Sequence, residues 1–276
     1  MSTKRLFGLF RSGFFAFLLC GHSLFASFED VVSGARVAAM ANAGVAQNFG
    51  AESIEINPAG ISCAPDDFDM IMFYTKPFGL DELSIANVAV RYSRSPLSGA
   101  GSVRFYGCDR YHESLISAAL SFELTSNLTI GCAARYGLLA IHRYGQTSVF
   151  LFDCGAICTV AKSLKWGFSA KNVNFATIGV NKEPLARSLT TGLSTSPHKK
   201  VVLNIDMHKE TRFPLDIRCA VGYEPLPRFV LRAGVGNEPV RFCAGFSITW
   251  AIFRIDYAFS SHAELGGTHM FSIGIF

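Results

Sequence analysis

The stretch "VVLNIDMH", residues 201–208, alternates aliphatic and polar side chains over most of its length. The odd-numbered positions carry the apolar residues Val201, Leu203, Ile205 and Met207, and the even-numbered positions from 204 on carry the polar residues Asn204, Asp206 and His208. Because successive side chains of a β-strand point to opposite faces, this pattern predicts a strand with one apolar face and one polar face.

The same period of two recurs from about residue 67 to the end of the chain. Turn residues divide this region into about 14 candidate strands. The connections alternate between short ones, such as "TSN" and "AKS", and longer ones, such as "TIGVNKEPLA". The candidate strands are 67–76, 82–92, 99–107, 113–124, 128–138, 147–160, 164–175, 187–194, 200–209, 214–223, 228–236, 239–249, 250–260 and 268–276.

An even number of strands, each about ten residues long, is typical of a barrel that crosses a bilayer with tilted strands. Half of the residues are hydrophobic and only 17% are charged. The second face of the strands carries Gly, Ser, Ala and a few charges, which suits a lumen. We therefore predict an all-β, transmembrane, antiparallel up-and-down β-barrel over residues 65–276. A soluble β-sandwich is the alternative, because it also has many alternating strands.

The N-terminus has the pattern of a secretory signal peptide. Lys4, Arg5 and Arg11 form a basic region, "SGFFAFLLCGHSLFA" forms an apolar one, and Ala26 ends it with a small residue. Such a segment is removed on export, so we expect residues 1–26 to be a signal peptide and the mature chain to begin at residue 27. Cys20 offers lipid attachment as an alternative, although Leu19 is not the small residue that such processing prefers.

The sequence contains no pattern that indicates catalysis, a metal site or a cofactor. After cleavage seven cysteines remain, and an odd number does not fit a fully paired disulfide framework. No cysteine or histidine set has the spacing of a zinc site, and no nucleophile elbow or phosphate loop is present. The net charge of +4 comes without a basic block for nucleic acid. We expect neither an enzyme nor a nucleic-acid-binding protein.

Three stretches, near the two ends of the chain, resemble one family of membrane proteins. "SGARVAAMANAGVAQNFGAESIEINPAGI" (33–61) resembles the N-terminal segment of outer-membrane long-chain fatty-acid transporters of the FadL type. It is also similar to the PorV and PorQ group and to FadL-like barrels of spirochaetes. "VGYEPLPRFVLRAG" (221–234) and "FRIDYAFSSHAELGGTHMFSIGIF" (253–276) resemble the final hairpins of the same group.

The resemblance implies a 14-stranded barrel whose N-terminal segment folds into the lumen as a small helical hatch. The hatch would span residues 27–64, and Asn57, Pro58 and Ala59 match the family's Asn-Pro-Ala sequence. The apolar residues Val37, Met40 and Val45 would line the path of a ligand's tail. The outer loops would be much shorter than those of the enteric transporters.

Charged residues recur on the polar faces of the strands. They are Arg104, Arg135, Lys171, Arg218, Arg232, Arg241 and Arg254, with Asp153, Asp206, Asp216 and Asp256. A guanidinium binds a carboxylate with two hydrogen bonds and stays charged at physiological pH. We predict that Arg218, Arg232, Arg241 or Arg254 receives the head group of an amphipathic acid. The alternative is that these charges pair across strands.

Three functions fit these features. The first is passive, hatch-gated uptake of long-chain fatty acids or similar hydrophobic or amphipathic small molecules across the outer membrane. The second is a PorV-like adaptor that binds secreted proteins and hands them over. The third is an open diffusion pore, which the hatch disfavours. Outer-membrane lipids and the barrel assembly machinery, which reads terminal aromatic residues such as Phe276, are the expected partners.

Overall fold

A computed structural model of the protein describes residues 28, 31, 33–62, 67–262 and 264–276. The predicted signal peptide, Cys20 and Cys63 lie outside the described residues. The six described cysteines are all free thiols. Within the described ranges, no helix is long and apolar enough to cross a bilayer.

The structure is built from strands that run up and down along the chain. Their bounds are β1 Phe68–Thr75, β2 Ile85–Arg94, β3 Leu97–Cys108, β4 Tyr111–Thr125, β5 Leu128–Ile141, β6 Gly145–Ala161, β7 Leu164–Lys171, β8 Thr177–Ile178, β9 Glu183–Pro184, β10 Ser188–His198, β11 Val201–Glu210, β12 Leu215–Leu226, β13 Phe229–Asn237, β14 Val240–Trp250, β15 Phe253–His262 and β16 Gly266–Ile275.

Fourteen of these strands form one closed antiparallel barrel, and β8 and β9 form a separate small hairpin. The barrel closes where β1 pairs with β16, for example at Met70 opposite Ile275. Because β8 and β9 leave the wall, β7 pairs with β10. Closure removes the unpaired edges that an open sheet would expose. The predicted all-β fold and strand number are confirmed.

The side chains of the wall are distributed in the opposite way to those of a soluble protein. In β11, Asn204, Asp206 and His208 are buried, whereas Leu203, Ile205 and Met207 are 40–49% exposed. The apolar parity therefore faces outward and the polar parity faces the lumen. A β-sandwich would place the apolar parity in its core, so the structure excludes that alternative.

The two ends of the barrel differ in the length of their connections. At one end all six connections are two-residue turns, at 95–96, 126–127, 162–163, 199–200, 227–228 and 251–252. At the other end the connections are two to 16 residues long, and the longest, here called the β7–β10 loop, covers residues 172–187. Short turns at one end and longer loops at the other are typical of transmembrane barrels.

The chain before β1 lies inside the barrel, and residues 33–62 are here called the lumen segment. It contains one short helix, α1 (Ala35–Ala38), and two 3-10 turns, Gly50–Glu55 and Pro58–Ile61. The small-residue stretch 34–46 is helical only at its start. The helix ends there because Ala41 and Asn42 adopt positive φ angles of 51° and 63°. Most of the segment is fully buried.

Glycines on the inner wall allow the lumen segment to approach closely. A Cβ atom at Gly131 would lie 2.4 Å from the backbone nitrogen of Ala59, and one at Gly155 would lie 1.9 Å from Oδ1 of Asn57. Real Cβ atoms do not come so near to another heavy atom. The wall of β5 and β6 is thus shaped to receive the Asn-Pro-Ala turn.

Candidate functional site

Asn57 connects three parts of the structure. Its Oδ1 accepts the N–H of Ala59 at 3.1 Å, which caps the 3-10 turn that Pro58 begins. Its Nδ2 donates to the carbonyl of Val45 at 2.8 Å and to that of Ala156 in β6 at 3.2 Å. Asn57 is fully buried, so each of these bonds forms without competition from water.

Glu55 is the centre of a buried charge network between the lumen segment and the wall. Its carboxylate lies 2.7 Å from Arg135 and 3.5 Å from Arg104, and it accepts a 2.7 Å hydrogen bond from Ser102. Burial alone would raise the pKa of Glu55, but the two guanidiniums and the hydroxyl outweigh it and lower that pKa to about 2. Glu55 therefore stays ionised and holds the segment to β3 and β5.

Glu52 and Arg36 form a second network, at the opposite wall. Arg36 lies 3.2 Å from Glu52 and 4.0 Å from Asp256, and Arg254 lies 3.0 Å from Asp256. Burial raises the pKa of Glu52, and Asp256 adds to that rise, although Arg36 opposes it. The charge of Glu52 is therefore less well compensated than that of Glu55.

Asp206 holds the middle of the lumen segment through its backbone. Its Oδ2 accepts the N–H groups of Gly44 at 2.6 Å and Val45 at 2.9 Å. The neighbouring Asn204 donates to the carbonyl of Ala43 at 3.2 Å. The polar parity of β11 thus binds backbone groups that a short, non-helical stretch leaves unpaired.

Three of the four predicted ligand-binding arginines are paired. Arg218 and Arg241 both bind Asp216, at 2.6 and 2.7 Å, and Arg254 binds Asp256. Arg218 and Arg241 also donate to carbonyls of the lumen segment, at residues 42 and 41. Only the pair of Arg241 and Asp216 joins different strands, as the alternative interpretation of the polar faces expected, whereas the other two pairs each lie within one strand.

Arg232 differs from the other three. Its guanidinium donates to the hydroxyl of Ser247, and Ser247 in turn donates to Asp256. In the described part of the chain Arg232 has no carboxylate within ion-pair distance. It is therefore the candidate arginine best able to receive an anionic group.

Val37, Met40 and Val45 are buried, with 5%, 0% and 0% of their surface exposed. Val37 and Met40 pack with Phe49 of the lumen segment and with Ala220 of β12. They lie at the interface between the segment and the wall rather than along an open path. The Asn-Pro-Ala turn and these apolar residues all lie at that interface, but they do not form a single ligand-binding site.

Two cavities that border the described part of the lumen segment are small. One cavity beside Val37, Glu52 and Arg218 has a volume of about 50 Å³, and a second beside Phe28 and Arg135 has about the same volume. Such volumes hold a few water molecules at most. A long-chain molecule can cross this barrel only if part of the lumen segment moves.

A larger pocket of about 390 Å³ lies at the mouth with the longer loops. Phe78, Ile85 and Met270 give it an apolar lining, and Arg241 and His262 reach its edge. An apolar concavity with a few polar groups is the usual form of a small-molecule site. The pocket therefore has the size and lining of a site for a hydrophobic small molecule.

The sequence interpretation missed Glu52 and Glu55 as the main contacts of the lumen segment. The available signal was the presence of two carboxylates, three residues apart, in an otherwise apolar stretch. Acidic residues are rarely buried without partners, so a barrel interior rich in arginine was the place to look for them. No cluster of three or more metal-ligating side chains occurs among the described residues.

Comparisons with known proteins identify the fold. No protein-family model matches the sequence, and no curated protein sequence matches it either. The "CymD monoaromatic hydrocarbon channel" matches 90% of this chain and 97% of its own, with 10% identity and a TM-score of 0.64. The Pseudomonas putida toluene transporter TodX matches 87% and 96%, with 13% identity and a TM-score of 0.60.

A Pseudomonas aeruginosa FadL homologue matches 88% of this chain and 97% of its own, with 10% identity and a TM-score of 0.57. These likenesses cover nearly the whole length of both chains in each case. The resemblance to FadL-like barrels that the sequence predicted is therefore confirmed at the level of the fold.

Proposed function

We propose that this protein is an outer-membrane channel for hydrophobic small molecules, and that the lumen segment is its gate. The observation that carries the proposal is a barrel with an apolar outer face whose lumen is filled by a segment of its own chain. Non-covalent contacts such as those of Asn57, Glu55 and Asp206 hold that segment, so it can move without breaking the wall. The names of the similar structures describe channels for hydrocarbons and toluene.

Long-chain fatty acids or similar amphipathic molecules are the proposed ligands. The pocket of about 390 Å³ at the mouth would take up the apolar part of a ligand. Arg232, which has no carboxylate partner among the described residues, would receive an acidic head group once the lumen segment is displaced. Arg218, Arg241 and Arg254 would serve mainly to hold the wall and the segment, because their charges are already paired.

A PorV-like adaptor remains the alternative proposal. It would bind exported proteins through its longer loops, and repeated recovery of such proteins with the purified barrel would favour it. An open diffusion pore requires a clear lumen, and the lumen of this structure is filled.

A covalent tether tests whether the lumen segment must move. The hydroxyls of Ser62 and Ser121 are 2.5 Å apart, so cysteines at both positions have the geometry for a disulfide. We expect the oxidised S62C/S121C variant, with its other cysteines replaced by serine, to lose most uptake of a labelled long-chain acid. Reduction should restore uptake, because the disulfide is the only covalent link between the Pro58–Ile61 turn and β4 in this variant.

The S121C single variant in the same background is the matched control, since it cannot form the bond. Equal uptake by the oxidised and reduced forms of the double variant would show that this turn does not gate the channel. Folding of each form is checked by heat-modifiable migration on a gel.

Mass spectrometry of molecules that co-purify with the protein tests the ligand proposal. We expect long-chain acids to be enriched, and Arg232→Ala to reduce that enrichment about tenfold, as the loss of a charge-assisted hydrogen bond implies. Arg241→Ala should reduce it less, because Arg241 is bound to Asp216. Lys199→Ala, at an exposed turn, is the control. Enrichment that is the same in all three variants would contradict a role for Arg232.

A further inference from the structure

A second concave site lies on the outer surface, at the end of the barrel with the longer loops. It is a groove of about 390 Å³ between the β7–β10 loop and the adjacent wall of β7, β10 and β11, and we call it the rim groove. Its lining includes Val173, Phe175, Arg187, Leu189 and Lys209. These residues take no part in the lumen network described above.

Three cations line the rim groove, namely Arg187, Lys209 and Lys171. Lys171 also lines both small lumen cavities, so Arg187 and Lys209 are the two that distinguish the groove from the lumen. Arg187 lies with its guanidinium carbon 4.5 Å from the centre of the Phe175 ring, which orients it. Lys209 donates to the carbonyl of Phe213 and keeps its other two protons for further partners. Over the ranges that the structure describes, neither Arg187 nor Lys209 has a carboxylate within ion-pair distance.

The side chain of Asn172 fixes the loop that carries Phe175 and Arg187. Its Oδ1 accepts the N–H of Ala176 at 2.8 Å, and its Nδ2 donates to the carbonyl of Ala186 at 3.2 Å. The two ends of the loop are thereby held together. The groove is thus formed by an ordered loop and does not depend on a ligand to shape it.

The rim groove is continuous with the apolar outer face of the barrel. Leu189 in β10 lies directly opposite Lys209 in β11, and both side chains point outward. Further from the rim on the same strands, Leu193, Ile205 and Met207 are 41–49% exposed. A cationic site at the edge of an apolar belt is complementary to a molecule with an anionic head and a hydrocarbon tail.

We propose that the rim groove binds the phosphate head group of an anionic phospholipid in the surrounding leaflet. Arg187 and Lys209 bind the phosphate, and the acyl chains lie on the belt that begins at Leu189. The inference rests on the membrane location proposed above, but it concerns the outer surface and is independent of transport through the lumen.

Native mass spectrometry of the full-length barrel tests this proposal. The protein is released from micelles that contain equal amounts of phosphatidylglycerol and phosphatidylcholine with the same acyl chains. We expect the wild type to retain phosphatidylglycerol selectively, and the Arg187→Gln/Lys209→Gln variant to lose that preference about tenfold. Lys209→Gln alone leaves the contact between Arg187 and Phe175 intact and should give an intermediate loss.

The Lys162→Gln/Lys199→Gln variant is the matched control, because it removes two exposed cations at the opposite end of the barrel. An equal loss of preference in this control, or equal retention of the two lipids by the wild type, would overturn the proposal. Inorganic phosphate serves as a separate probe. If it alone bound the groove as tightly as the lipid and displaced it, free phosphate rather than a lipid would be the ligand.

Uptake of a labelled long-chain acid is measured on the same variants. A loss of lipid preference with unchanged uptake is the expected result and shows that the rim groove and the lumen act separately. A rim variant that lost uptake to the same extent as the oxidised tether would place these cations in the transport route and overturn the assignment.

Discussion

Gly155→Val is expected to open the barrel while leaving its wall folded. A Cβ atom at this position would lie 1.9 Å from Oδ1 of Asn57 and 3.0 Å from its Cγ. Moving the Asn57 side chain would break its hydrogen bonds to Val45, Ala156 and Ala59, which costs free energy. Strand β6 is hydrogen-bonded to β5 on one side and to β7 on the other, so we expect the lumen segment, rather than the wall, to be displaced.

The measurement is the conductance of the purified protein in planar bilayers, together with proteolysis of the N-terminal region. We expect the conductance to rise at least about tenfold over the wild type, since a wide barrel without its plug is an aqueous channel. Gly222→Val is the matched control, because a Cβ there meets only Val202, at 4.0 Å. A Gly155→Val barrel as closed as the control would show that the segment adapts within the lumen.

Glu55→Gln is expected to release the lumen segment as well, through charge rather than size. The substitution removes the carboxylate shared by Arg104 and Arg135, so Arg104 faces an amide instead, while Arg135 keeps Asp153 at 2.6 Å. Breaking a buried ion pair by removing one partner costs about 3–5 kcal/mol. We expect faster hydrogen exchange over residues 50–62 and a raised conductance, with the free energy of unfolding of the barrel less affected.

The pH dependence of this contact follows from the lowered pKa of Glu55. Its contribution is fully present above the ordinary pKa of 4.5 and is lost as the pH falls through the folded value of about 2. The wild-type segment should therefore stay docked at pH 4, where many exposed carboxyls begin to protonate. Glu183→Gln, at an exposed loop position, should behave as the wild type. Burial raises the pKa of Glu52, so the test uses a Glu52→Gln background, and release of the segment near pH 5 in that background would contradict the role assigned to Glu55.

The local pattern was sufficient to predict the wall, since the alternation at 201–208 corresponds to β11, where polar residues are buried and apolar ones exposed. It was not sufficient at the end of β7, where the candidate strand 164–175 stops at Lys171. Asn172 has a positive φ of 54°, and its side chain bonds the loop, so the chain leaves the sheet there. Asparagine tolerates that conformation better than most residues, which is a turn signal that the alternation concealed.

The lumen contacts were predictable only in part. The Asn57 turn was found through a resemblance, whereas Glu55 binds Arg135, 80 residues away along the chain. The alternation of side chains along a single strand cannot reveal a contact between residues so far apart in the sequence. The bond between Arg218 and Asp216 is the opposite case, because the two residues lie two apart on one face of β12 and their proximity can be predicted from the strand pattern alone.

The start of the lumen segment is bound by the last strand of the barrel. The N–H of Ala35 donates to the hydroxyl of Ser272 in β16 at 3.0 Å, and α1 packs against Ala258 and Met270 of the final hairpin. Contacts between residues this far apart in sequence form late and slowly. During synthesis, then, the lumen segment precedes the wall in the chain and has no complete binding surface until β16 has been made. A single event, the arrival of β16, both closes the seam with β1 and completes the surface that receives α1.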